Sequence, residues 1–192
     1  GKTKKLEWPP TSFQAMSSSL NHAIYIQIKA LVQSLSNKKT LRNTKTELLS
    51  LVEVSGPEAR RYMLMCLFDS LDFKDPKVQN GAKEQTKTQF LTQHLTLCSS
   101  HSNFLDYFTQ VIEHSLQKQS LSEYMNDVIK CLKLALPLQI TMILSFTMSP
   151  TPYIAKEGLQ MLKTKLNECL QIGKILQFPE NILSSLLYVI KS

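Results

Sequence analysis

Apolar residues recur every three or four positions along most of the chain, the spacing that lines one face of an α-helix. Leu20, Ile24, Ile28, Leu31, Val32 and Leu35 predict a first helix over about 17–36. Leu41, Leu48, Leu49 and Val52 predict a second within 37–54. The run GPEARRYMLMCLFDSLDF, residues 56–73, predicts a third. A polar loop near 74–83 carries Asp75, Pro76, Asn80 and Gly81, and a fourth helix follows over about 83–99. A fifth starts near Ser102 and uses Phe104, Phe108, Val111 and Ile112. Ser120 and Glu123 have the spacing of a capping box at the start of a sixth. Pro137 suits the first turn of a seventh, because a missing amide hydrogen is harmless there. Thr151 and Pro152 open an eighth that should stop at Gly173, and Pro179 opens a ninth.

No segment reads as a clear strand. The run LQITMILSF, residues 138–146, is short and apolar enough to be helix or strand, and its helical flanks and short breaks favour helix. The expected fold class is all-α, with about nine helices of 10 to 20 residues paired antiparallel in a HEAT-like array, an α-solenoid. No strict sequence repeat is visible, so the pairs would be degenerate, and an orthogonal helical bundle is the alternative. The expected organisation is an extended, basic, proline-containing arm over 1–16 and a single helical domain over 17–192.

The third helix is the most apolar. Pro57 fits its first position and Glu58 suits its positive end, whereas Arg60 and Arg61 do not. Ala59, Met63, Cys66, Leu67 and Leu71 form one stripe, and Tyr62, Met65 and Phe68 form another. A helix apolar on two sides must be covered on two sides, which predicts a structural spine.

Composition narrows the class. The chain has 192 residues, 43% of them hydrophobic, enough for one sizeable domain or a short run of stacked helices. No apolar run approaches the roughly 18 to 20 residues that span a bilayer, and GKTKKLEWPPTSF lacks the apolar stretch of a secretory signal. Cys66, Cys98, Cys131 and Cys169 are widely spaced within apolar helical patterns, which points to packed, reduced thiols of an intracellular protein. The net charge of +7 is concentrated early: residues 1–45 hold eight lysines and arginines against one acid, Glu7. Such an end attracts nucleic acid, an acidic partner or an anionic surface; a solvated lysine-rich face is the plainer reading.

Catalytic signatures are absent. No glycine-rich phosphate loop and no G-x-S-x-G elbow occurs, and no pair of acids stands out for acid–base work, so neither a catalytic residue nor a cofactor is expected. In HLTLCSSH, His94 and Cys98 share a helix face and His101 follows, a partial zinc pattern lacking a fourth ligand. The alternative is a buried Cys98 near a helix end with solvated histidines, and no metal is expected. Lys38, Lys39, Arg42 and Lys45 cross a helix junction, with Arg60 and Arg61 at the next helix start, a candidate RNA-binding set. Contacts of this kind go to phosphates, and no aromatic residues are interleaved to stack bases. In the arm, Trp8 and Phe13 bracket Pro9 and Pro10, and together with Tyr188 they are candidate partner-binding residues.

Three ordered segments carry a family resemblance: IQIKALVQSLSNKK, SGPEARRYMLMCLFDSLDF and KTQFLTQHLTLCSSHSNFLDYFTQVI. They resemble the N-terminal region of the large Not scaffold subunit of the Ccr-Not deadenylase complex, across about residues 24–172 and most firmly over 56–112. The shared order is a helix ending in a lysine pair, the GPEA start, a CLF core followed by Asp-Phe, a QFL helix and an Asn-Phe helix start. The first twenty residues and the loop near 74–83 do not match. The resemblance implies a non-enzymatic, HEAT-like scaffold arm that receives accessory non-catalytic subunits in a complex that shortens mRNA poly(A) tails and represses translation. It implies a cytoplasmic location, including mRNA-decay granules, and a nuclear one as well. Direct RNA contact is the alternative function; neither a membrane nor a small-molecule substrate is implied.

Overall fold

The computed structural model describes residues 13–101, 103–116 and 119–172, with side chains from Leu20 to Cys169. Every regular element among the described residues is a helix, so the all-α expectation holds. The helices are α1 (Phe13–Ser34), α2 (Leu41–Ser55), α3 (Pro57–Asp69), α4 (Pro76–Gln79), α5 (Gln85–Cys98), α6 (Phe104–Leu116), α7 (Leu121–Leu132), α8 (Leu136–Thr147) and α9 (Pro152–Ile172). The chain divides into two units, 1–66 and 67–192, and the division falls inside α3.

In the first unit α1 packs on α2. Ile28, Leu31, Val32 and Leu35 are buried on α1, and Leu48 and Val52 on α2. Burial along α1 fades toward its N-terminal end: Ile24 is half-buried, and Leu20, expected on the core face, is 63% exposed. Leu49 is exposed too, since a step of about 100° carries it round the helix from buried Leu48. The α1–α2 turn contains an Asx bend in which the Lys39 amide donates to Asn37 Oδ1 at 3.1 Å. At the next joint Gly56 has φ +83, a conformation that side chains resist, and its amide closes α2 on the Val52 carbonyl at 3.0 Å. Pro57 then opens α3. The Tyr62 ring meets Tyr25 of α1 edge-on, centroids 5.4 Å apart.

In the second unit the loop after α3 holds a short helix that hydrophobic periodicity missed. Asp75 caps α4 by accepting from the Lys77 amide at 2.9 Å, and Pro76 supplies the pre-set first residue. Both α4 and α5 pack on α7, while α8 packs against α6 and α9. The segment 138–146 is helical, and Leu138, Ile140, Met142, Ile143, Leu144, Ser145 and Phe146 are all buried. Phe68, Phe104, Phe108 and Phe146 form an aromatic core, with Phe108 stacked on Phe104 at 4.8 Å and within 6.0 Å of Phe68. Against Ile140, Ile143 and Leu144 of α8, α9 lays Leu162 and Cys169. Two polar ties join helices distant in sequence. Thr109 Oγ1 donates to the Ser145 carbonyl at 2.8 Å, and the Leu121 amide donates to Glu157 Oε2 at 3.2 Å.

Ser120 caps α7 as its spacing predicts, accepting from the Glu123 amide at 3.2 Å, and Pro137 lies in the first turn of α8. All four cysteines are buried thiols. Gly173 and the helix expected from Pro179 lie outside the described residues. No helix among the described residues is long and apolar enough to cross a membrane.

Candidate interaction sites

The basic junction begins in the turn after α1. Lys38 and Lys39 are exposed within it, and Arg42 is exposed in the first turn of α2. None of the three forms an ion pair among the described residues. Arg42 faces the positive end of its own helix, so its charge is better placed for an outside anion than for stabilising α2. Lys45, one turn later, is half-buried, as are Arg60 and Arg61. Arg61 is committed within α3: it pairs with Glu58 one turn earlier, and its guanidinium lies 5.4 Å from the Tyr62 ring centroid. Lys38, Lys39 and Arg42 therefore form the accessible part of the predicted set. Trp8 and Tyr188 lie outside the described residues; Phe13 opens α1, and its side chain is likewise outside them.

His94, Cys98 and His101 do not converge as a metal site. Among the described residues no group of three histidines, cysteines, aspartates or glutamates is arranged to hold an ion. Cys98 is buried at the end of α5 and His101 is exposed. His94 is only 8% exposed, which corrects the expectation of two solvated histidines. Its ring lies on Phe90 with centroids 4.3 Å apart, and burial pushes its pKa below the usual histidine value. This position on α5 belongs to the core stripe of Phe90, Leu91 and Leu95, so the helical period could have placed it.

A cleft of about 690 Å³ in the second unit was not anticipated. Its walls come from the end of α3 and the following turn, the end of α6, and the first two turns of α7. Asp69, Asp72, Glu123 and Asp127 bring four carboxylates to it, against the single cation Lys74. Asp127 is held by Gln119, whose Nε2 donates to Oδ2 at 3.3 Å. At the floor Tyr124 packs edge-on against Phe73 at 5.9 Å, beside Ser115. The Tyr124 and Ser115 hydroxyls are buried beside each other and interact with one another. Burial raises the Tyr124 pKa well above that of a free phenol; the Ser115 hydroxyl offsets part of this and the nearby Asp69 charge adds to it.

No protein-family model matches the chain.

Proposed function

We propose that this chain is a non-enzymatic scaffold module of the kind found in the N-terminal region of the large Not subunit of the Ccr-Not complex. The observation that carries this reading is the ordered series of motifs over 24–172: the lysine-pair helix end, GPEA, CLF with Asp-Phe, QFL and the Asn-Phe start. An all-helical chain with buried cysteines and no catalytic signature in its sequence is compatible with such a role. In this reading the helices pair as a HEAT-like array and their outer faces receive the accessory, non-catalytic subunits. The module then works within poly(A) shortening and translational repression, in the cytoplasm, its mRNA-decay granules and the nucleus. The test is affinity purification of the chain from extracts of its own organism after nuclease treatment, read by mass spectrometry. Recovery of Ccr-Not accessory subunits supports docking; their absence, with bound material lost to nuclease, overturns it.

A second reading, sequence-nonspecific RNA binding, is favoured by one observation. Lys38, Lys39 and Arg42 present three exposed positive charges within five residues, unopposed by any ion pair among the described residues. Direct RNA binding by the isolated chain, abolished by substituting this junction, separates it from the scaffold reading.

A further inference from the structure

We propose that Thr151, in the joint between α8 and α9, is a phosphorylation site for a proline-directed protein kinase, and that the added phosphate breaks a tie between α9 and α6. Of the eight prolines in the chain, two follow a hydroxyl residue, and they stand together in Ser149-Pro150-Thr151-Pro152. No charged residue lies between Lys133 and Lys156, so kinases that read basic or acidic flanks have nothing to recognise here. A proline directly after the acceptor is the feature that remains. It also holds the residue before it out of the helical region, toward the extended backbone that a kinase cleft accepts.

Between the two hydroxyls the structure favours the second. Thr151 is exposed, and so are its neighbours Pro150, Pro152 and Tyr153. Ser149 is half-buried, lines a cleft of about 150 Å³ with Asp106 and Glu113, and accepts from the Thr151 amide at 3.1 Å. Thr151 Oγ1 donates to Oε1 of the exposed Glu113, on α6, at 3.2 Å. In the transfer this oxygen attacks the γ-phosphorus of ATP, ADP leaves, and the hydroxyl proton passes to the kinase. The ester oxygen that results has no proton to donate, so the bond to Glu113 is lost. In its place the phosphate sets about 1.5 to 2 negative charges against a carboxylate. The same phosphate stands just before the first residue of α9, where negative charge is favoured. The modification therefore preserves α9 and releases its N-terminal end from α6.

The site does not depend on the scaffold reading, and its test needs no other subunit. The whole chain, labelled with nitrogen-15, is incubated without denaturant with ATP, magnesium and a purified cyclin-dependent kinase bound to its cyclin. Intact mass and fragmentation then locate the product. One phosphoryl group is expected, on Thr151. Thr151→Val, which keeps the shape and removes the hydroxyl, should abolish incorporation; Pro152→Ala, which keeps the acceptor, should slow it about tenfold or more. Matching circular dichroism spectra establish that both variants fold before their rates are compared. Phosphorylation should shift the amides of residues 112–114 on α6 as well as those of 151–155. No incorporation into the folded chain, incorporation at Ser149 in place of Thr151, or an unchanged rate in Pro152→Ala overturns the site. Incorporation at Thr151 with amide shifts confined to 149–155 overturns the release of α9 from α6.

Discussion

Gly158 on α9 faces Phe146 on α8 so closely that a methyl group at Gly158 would stand 2.7 Å from Phe146 Cβ and 3.0 Å from its carbonyl carbon. Gly158 lies in mid-helix, without a positive φ, so its role is to let the two helices approach. The obstructing atoms are backbone and Cβ, which cannot rotate aside as the tip of a long side chain can. Gly158→Ala gains about 1 kcal/mol in helix propensity and loses more by forcing apart a closely packed crossing. We expect a net destabilisation of about 1–3 kcal/mol, read as a lower urea midpoint with unchanged m value. A midpoint that rises would show that α9 can move away from α8 at little cost.

Two side chains serve the N-terminus of α7 from opposite directions in sequence. Ser120 caps the Glu123 amide locally, while Glu157, from α9, takes the Leu121 amide and brings a negative charge to the positive helix end. Glu157→Ala should destabilise the unit by about 0.5–2 kcal/mol and speed hydrogen exchange at the Leu121 amide. Ser120→Ala should act in a similar range on the Glu123 amide. If Glu157→Ala leaves the Leu121 exchange rate unchanged, that bond is not formed in solution.

Burial of His94 links stability to pH with a definite sign. Its folded pKa is lowered from 6.5, so below pH 6.5 the unfolded chain binds the proton more readily than the folded one. The contribution is complete above pH 6.5 and declines as pH falls through 6.5 toward the folded value, by at most about 1.4 kcal/mol per pH unit. His94→Phe keeps a ring beside Phe90 and cannot titrate. Urea midpoints at pH 7.5, 6.5 and 5.5 should fall more steeply for the native chain than for the variant. Parallel declines would show that other groups set the acid limb.

Truncations in α3 should follow burial, not hydrophobicity alone. Leu67 and Phe68 are fully buried, and Leu67→Ala or Phe68→Ala should cost about 2–5 kcal/mol. Met65 is half-buried, so Met65→Ala should cost clearly less. Equal losses at the three positions would contradict the burial pattern of this helix.

The same helix shows where legibility ended. The first stripe, Ala59, Met63, Cys66, Leu67 and Leu71, is buried as expected, but of the second only Phe68 is: Tyr62 and Met65 are half-buried, and Leu64, in neither stripe, is fully buried. Helix starts were read from local signals at Pro57, Ser120 and Pro137. α4 was missed because one turn is shorter than any hydrophobic period, although Asp75-Pro76 announces it. Leu20 deceived because periodicity names a face without saying how far along the helix a neighbour covers it, and Leu49 because it stands about 100° round α2 from the buried Leu48. The acidic cleft could not be read at all: Asp69, Asp72, Glu123 and Asp127 come from segments fifty residues apart in sequence, and only tertiary packing gathers them over Tyr124.

The basic junction makes the last prediction. If Lys38, Lys39, Arg42 and Lys45 contact single-stranded RNA through phosphates, four contacts give a log–log salt slope near −3 and a loss of about 50-fold in affinity between 50 and 200 mM salt. Substituting all four by Glu should abolish binding of a uniform-sequence RNA. Stability should change little, because the first three are exposed and none forms an ion pair among the described residues. Arg61→Ala should matter less for RNA than any of the exposed three, since its guanidinium is already held by Glu58 and Tyr62. Filter binding across a salt series, with circular dichroism melts of the same proteins, separates the effects. Affinity that survives both high salt and the fourfold substitution would leave the junction as a solvated turn and return the surface to protein docking.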